Sequence, residues 1–498
     1  MNKKHIYRYA IGLFILYVNI AVGAPYKWGY FGYPQFDSYS PARVCESLRS
    51  GNDSPWDPAI IIKQYPDAQV ENFYWCVTGS ALNPVGIYYR IVRMGDNCPV
   101  GIYNNNTGEC DCPGNEEKNT LGQCGAGADS GPPPPYGCVG NPVNLTNGNK
   151  YQLEVDLEGV RPGMKFGRYY NSADGRWRHT YSTHLDSTDR EVIVVEATGR
   201  EVVFSSTEGI FSTPGVELLE KLPSGWRYVS ADHKMYKFDI QGRLVEQGWP
   251  GTQALHFSRE HEGVVVSDSD GRLFEFTEDE AHQPISLFTK DVQINYEYDA
   301  RKQLITVTRK HEGQTFQRSY RYTDGRDARL LTDIIDERGV TYAHWNYDGN
   351  GRAVSSSHAN GAELTRLDYG LDNTTVTNPL GKKTRYRFIP INGHKRIVAI
   401  EGEPSANCPN SNSTFTYDAR GLLKTRRDNN GNLTTYDYDA RGLEVSRTEA
   451  AGTPQARTIT TQWHPRLYLP VQVAEPGRVT RYQYDEQGRQ TGWTLTER

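Results

Sequence analysis

The chain has 498 residues, more than one hydrophobic core usually supports, so about two to four structural units are expected. Its 55 basic and 60 acidic residues nearly cancel to a net charge of −5, with no basic stripe, which argues against nucleic acid as a partner. With 33 Tyr, 48 Gly, only 4 Met and a mean hydropathy of −0.68, the composition favours strands and turns of a soluble all-β protein over helices.

Lys3, Lys4 and Arg8 precede the apolar run from Ala10 to Val18, and Val22-Gly23-Ala24 places small residues before Pro25. This is the outline of a secretory signal peptide over residues 1–24, cleaved after Ala24. The alternative is a retained anchor, but the run falls short of the roughly 20 residues that cross a bilayer, and Asn19 interrupts its end. Export then puts the protein outside the cell, in the periplasm or on the surface, with no membrane span after cleavage.

Residues 25–95 are dense in aromatics ("YKWGYFGYPQF", "ENFYWCV", "IYYRIV"). They read as a small β-rich core, with stacking on a cell-surface glycan as the alternative. Residues 96–137 hold too little apolar surface for a core, so cross-links must replace it. Cys45, Cys76, Cys98, Cys110, Cys112 and Cys124 are the disulfide candidates, and the C-x-C spacing does not fit a zinc site. Six cysteines leave the connectivity open, and Cys138 and Cys408 either pair or stay free. The Pro-rich stretch from Gly131 to Gly137 is an extended spacer that marks the clearest domain boundary.

From Tyr151 onward, short alternating runs are punctuated by D/N-x-x-G, the signal of successive hairpins. One unit appears twice almost unchanged: Tyr417-Asp418-Ala419-Arg420-Gly421-Leu422 and Tyr438-Asp439-Ala440-Arg441-Gly442-Leu443. Looser copies start at Phe238, Tyr347 and Tyr484, the last supplying Asp485 and Gly488, while Tyr298-Asp299-Ala300-Arg301 has Lys302 in the glycine position. The unit has a mechanical meaning. Tyr ends a strand on a sheet face, Asp bonds the backbone two or three residues on, and Gly takes the positive φ that the hairpin loop needs.

These Y-D-x-x-G units resemble the YD repeats of RHS (rearrangement hotspot) proteins, the shells of bacterial polymorphic toxins. A second stretch supports the likeness. "GNPVNLTNGNKYQLEVDL" from Gly140, "RYYNS" from Arg168 and "GRWRHTYSTHL" from Gly175 resemble the domain that begins the RHS repeat region. The resemblance implies that this domain occupies residues 138–215 and the repeats 216–498, stacked into a curved, incomplete sheet shell. No P-x-x-x-x-D-P-x-G-like segment follows the last repeat, so none of the family's self-cleaving acids is carried over. The strand around Val479–Arg498 is expected to be poorly ordered, or to pair with a second copy or with a continuation from another chain.

No P-loop, H-E-x-x-H or G-x-S-x-G motif occurs, and nothing selects a catalytic pair, a metal site or a cofactor. His179 and His184, five apart, are expected on opposite faces of one strand. The D-x-x-G loops lack the dense Asp spacing of calcium-binding solenoids. The leading expectation is a non-catalytic shell or scaffold of an exported toxin system, whose partners are a C-terminal toxin or a further shell segment. A secreted carbohydrate- or cell-wall-binding protein is the alternative, and a secreted glycosidase the third. Mass spectrometry of protein from its host should find Pro25, or a residue close to it, at the amino terminus. Non-reducing peptide maps of the same sample should show Cys98, Cys110, Cys112 and Cys124 oxidised; intact Met1 or four free thiols would refute these readings.

Overall fold

Alternation decides the fold. In the strand Val292–Tyr298, Val292, Ile294 and Tyr296 are buried while Gln293, Asn295 and Glu297 face outward, and the same period recurs in its neighbours. The computed structural model describes residues 130–497 apart from 135, 159–163, 188–190, 208–209, 262, 393 and 403–411. Of the residues before 130 it describes only the course of the strands between Lys27 and Gly125. Among the described residues the structure is strand and turn except for one short 3-10 turn, Ala359–Gly361, and no helix is long and apolar enough to cross a membrane.

The chain divides into two units, residues 1–111 and 112–498. The first holds an antiparallel five-stranded sheet in which Asn83–Met94 lies between Lys27–Tyr30 and Phe73–Ser80. The signal segment, Cys45, Cys98, Cys112 and Cys408 fall outside the described residues; Cys76, Cys110 and Cys124 are placed only as members of strands. Cys138 is an exposed free thiol.

The second unit has a hub and a long sheet. The hub contains a three-stranded sheet (Tyr151–Glu158, Lys165–Asn171, Arg176–His179) and a four-stranded one running from His184–Ser187 to Ile210–Ser212. The long sheet has 26 strands among the described residues, from Leu218–Leu222 to Gln490–Glu497, each antiparallel to the one before it in the chain. Sheets this long must curl. This one curls around the hub, and its inward aromatic and aliphatic residues join those of the hub in one core that includes Phe166, Tyr170, Trp177, Phe276, Ile294 and Trp345.

Polar groups set the position of that contact. Arg168, 1% exposed, is bonded to Asp156 at 2.6 Å and to the Tyr320 hydroxyl at 3.0 Å, while Tyr296 donates to Asp156 at 2.8 Å. Burial alone would lower the Arg168 pKa, but Asp156 and Tyr320 outweigh it and raise it. The guanidinium also lies over the rings of Trp177, Tyr296 and Tyr320, which take up charge that no water reaches. Farther along the sheet the Trp345 indole donates to Asn141 O at 2.6 Å and the Thr374 hydroxyl to Leu145 O at 2.7 Å.

The sheet's end returns to its beginning without hydrogen-bonded closure. A Cβ on Gly251 would lie 2.3 Å from the Gly488 carbonyl oxygen, and the His233 and Tyr468 rings stack at 4.7 Å. The first and last strands each pair with one neighbour, so the sheet is an overlapping coil and not a barrel. Of the alternatives expected for Val479–Arg498, disorder is corrected. Arg478–Tyr484 and Gln490–Glu497 form an antiparallel hairpin with one register shift between Gln483 and Tyr484, because its turn is capped by Asp485 and rests on Gly251.

Removing one partner of a buried ion pair leaves the other charge uncompensated, at a cost of roughly 3–5 kcal/mol. Asp156→Ala should therefore lower the denaturation midpoint of the second unit far more than Asp368→Ala, an outward carboxylate in the strand Thr365–Tyr369. Equal losses in urea titrations would show that the buried pair and its tyrosine partners carry no net stability.

Candidate functional site

The repeated unit builds one kind of loop. Asp418 Oδ1 accepts from the backbone N–H of Arg420 at 2.9 Å and of Leu422 at 3.0 Å; Asp439 does the same for Arg441 and Leu443, and Asp485 for Gln487 and Arg489. The carboxylate thus reaches two and four residues on, one farther than the expected two or three. Burial alone would raise the Asp418 pKa, but the bonds from Leu422 and Arg420 lower it. Gly421, Gly442 and Gly488 have φ of 82°, 79° and 81°, and Lys302 takes φ of 65° in the same position without a glycine. Each tyrosine hydroxyl donates to a carbonyl of the strand beside it: Tyr417 to Ile397, Tyr438 to Leu423 and Tyr484 to Pro470, all at 2.8 Å.

What the loop does collectively was not visible in one copy. In a sequential antiparallel sheet, turns alternate between two rims. The turns that follow Phe238, Tyr298, Tyr347, Tyr417, Tyr438 and Tyr484 all fall on the same rim. That rim faces the hub early in the sheet, where Leu185 N donates to Gly242 O at 2.9 Å. Later it faces the opposite rim of the sheet's own first strands. A Cβ on Gly442 would lie 2.6 Å from Val216 Cγ1, and Arg441 lies over the Tyr468 ring that stacks on His233. The arginine of the unit links neighbouring turns along the rim: Arg420 Nη1 donates to Asp439 O at 2.8 Å and Arg441 Nη1 to His464 O at 2.9 Å. The recurrence of Arg at one place in both copies is the sequence signal for this link.

A second cluster lies where the hub meets this rim. His179 and His184 are not on one strand: they end and begin two different strands, and the turn between them brings both to Glu278 and His282. His179 Nε2 is 3.0 Å and His282 Nδ1 3.1 Å from Glu278 Oε2, and the His184 and His282 rings stack at 4.0 Å. Burial, and then His282, lowers the His184 pKa to about 3; burial also lowers that of His179. Burial would raise the Glu278 carboxyl, but the His179 and His282 bonds hold it down. These groups tie hub to sheet. Among the described residues no set of three His, Cys, Asp or Glu is arranged to hold a metal ion.

Gly442 and Gly431 separate the two duties of a repeat glycine. Both have positive φ, 79° and 85°, but a Cβ on Gly431 meets nothing within 4 Å. Gly431→Ala should cost only the backbone strain, about 1–2 kcal/mol, whereas Gly442→Ala must also displace Val216. Equal destabilisation in thermal or urea unfolding would mean that the overlap carries no energy.

Comparison with known proteins agrees with this geometry. Residues 140–204 match the domain of unknown function DUF6531, and residues 417–454 match the RHS repeat. The chain is similar to the double-stranded DNA deaminase toxin A of Burkholderia cenocepacia (strain H111), 28% identical over 57% of this chain and 18% of that one. It is also similar to a protein of Dickeya dadantii (strain 3937) named probable deoxyribonuclease RhsB, 25% identical over 57% of this chain and 20% of that one. The chain thus spans about a fifth of the length of these curated relatives. Against the solved structure of TcdB2-TccC3-Cdc42 it is 14% identical, covering 69% of this chain and 21% of that one, with a TM-score of 0.28. The likeness that bears on this chain is the one in sequence. A domain matched at 140–204, followed by repeats whose turns line one rim of a coiled sheet, makes this an RHS/YD-repeat protein.

Proposed function

We propose that the chain is a non-catalytic shell segment of an exported bacterial toxin system. The observation that carries this reading is the overlap of the sheet, Gly442 on Val216 and Gly488 on Gly251, through which a ribbon of hairpins becomes a wall. A relative named as a double-stranded DNA deaminase toxin and another named as a probable deoxyribonuclease, each matched over 57% of this chain, support it. The partner is a toxin module or a further shell segment. Its attachment edge is Gln490–Glu497, which pairs on one side only and exposes 60% of Trp493 and 48% of Leu495.

The purified chain should neither deaminate nor cleave double-stranded DNA, and DNA turnover that follows the protein through purification would end the non-catalytic reading. In a monomeric sample the outward amides of Gln490–Glu497 should exchange with solvent far faster than those of Val292–Tyr298. Protection at the level of that inner strand would show the edge to be already covered.

A further inference from the structure

One seam between hub and sheet is made of three imidazoles around one carboxylate. His179 and His184 come from the hub; Glu278 ends the strand Gly271–Glu278, and His282 stands in the turn before Pro284–Phe288. Hydrogen bonds fix where each ring carries its proton. The Glu278 carboxylate only accepts, so His179 Nε2 and His282 Nδ1 donate to it, while His184 Nδ1 donates to the Ser182 carbonyl at 2.7 Å. His179 is closed to a second proton, because its Nδ1 accepts from the Tyr181 N–H at 3.3 Å, and the Phe166 and Phe276 rings pack against it. His184 and His282 each keep Nε2 for one.

Little here would balance such protons. Glu278 lies against His282 and can answer one added charge, but Arg259 already stands 3.7 Å from its Oε1. Asp279 accepts from the Ala281 and Gln283 amides of its own turn, both at 2.9 Å, and Asp174 is engaged by Arg178 at 2.6 Å. Nothing is left for a charge on His184, whose ring stacks on His282 at 4.0 Å with 27° between the planes. Two cations at that distance repel.

We propose that this seam is an acid-sensitive latch: it holds at neutral pH and opens when His184 is protonated against His282, so that the turn from Asp279 to Gln283 leaves the hub. Burial, and then His282, lowers the His184 pKa to about 3, below the value of about 6.5 of an exposed histidine. Its share of the seam's stability is therefore whole above that exposed value and is lost as pH falls toward the folded one. The latch lies away from the outer edge at Gln490–Glu497, and its failure would leave the shell reading standing.

Two hub amides report the seam, because their acceptors are on the sheet: Leu185 N donates to Gly242 O at 2.9 Å and Trp177 N to Gln283 Oε1 at 3.2 Å. Hydrogen exchange of the full chain, corrected for intrinsic rates, should find them opening about tenfold or more often at about pH 5 than at about pH 7.5. The double variant His184→Asn, His282→Asn should lose this response. Asn offers an N–H in place of Nδ1–H, tolerates the φ of 59° at residue 282 and cannot ionise. No acid response in the wild type, or the same response in the folded double variant, would overturn the proposal. Should the variant not fold, NMR titration of the wild-type histidines decides. A His184 ring that takes its proton near the exposed value while both amides stay protected overturns the latch, and one that gains it only as they open supports it.

Discussion

A sheet that grows one hairpin at a time has an apolar face that water will not tolerate, and everything else here follows from how that face is covered. For most of its length the cover is the hub, and the Arg168–Asp156 pair with the Tyr296 and Tyr320 hydroxyls sets where sheet and hub meet. Apolar burial supplies most of the attraction but has no direction. The hydrogen bonds do, because Tyr296 and Tyr320 of the sheet reach the hub's Asp156–Arg168 pair in only one register of sheet against hub. Farther on the hub gives way, and the strands after Phe415 are more exposed, with Leu443, Ile459 and Val479 the buried apolar positions among them.

The two rims of the sheet are chemically unlike. The rim that follows Phe238, Tyr298, Tyr347, Tyr417, Tyr438 and Tyr484 is built from loops whose carboxylates are already satisfied by their own backbone. Such loops present carbonyls, arginines and glycines instead of free acid, so they can lie against another layer of protein with little desolvation cost. Glycine matters twice at Gly442: once for φ, once because Val216 stands where a side chain would go. The later turns of the opposite rim, at Gly431, Gly452 and Gly477, meet nothing where a Cβ would stand.

This division separates architecture from chemistry. Arg168, His179, His184 and Glu278 are buried and strongly coupled, which elsewhere can mark a catalytic centre. Here each has a partner across the hub–sheet contact: Arg168 bonds Tyr320, His179 bonds Glu278, and His184 stacks on His282.

Much of this was legible in the residues. Tyr417, Asp418 and Gly421, and their copies from Tyr438 and Tyr484, specify their loop through contacts no more than four residues apart, and alternation in "VQINYEY" specifies a strand with one buried face. The resemblance of residues 140–185 and of the repeats to the RHS family was legible for the same reason, since local hydrogen bonds leave a local pattern. The convergence of His179 and His184 on Glu278 was not, because it depends on a turn between two strands that period-two counting merged into one. Nor was the meeting of Gly442 with Val216, or of Tyr468 with His233. Those contacts are set by twist added strand by strand across the whole sheet and by the size of the hub it wraps. No short stretch of sequence carries either quantity, so only the tertiary structure could decide them.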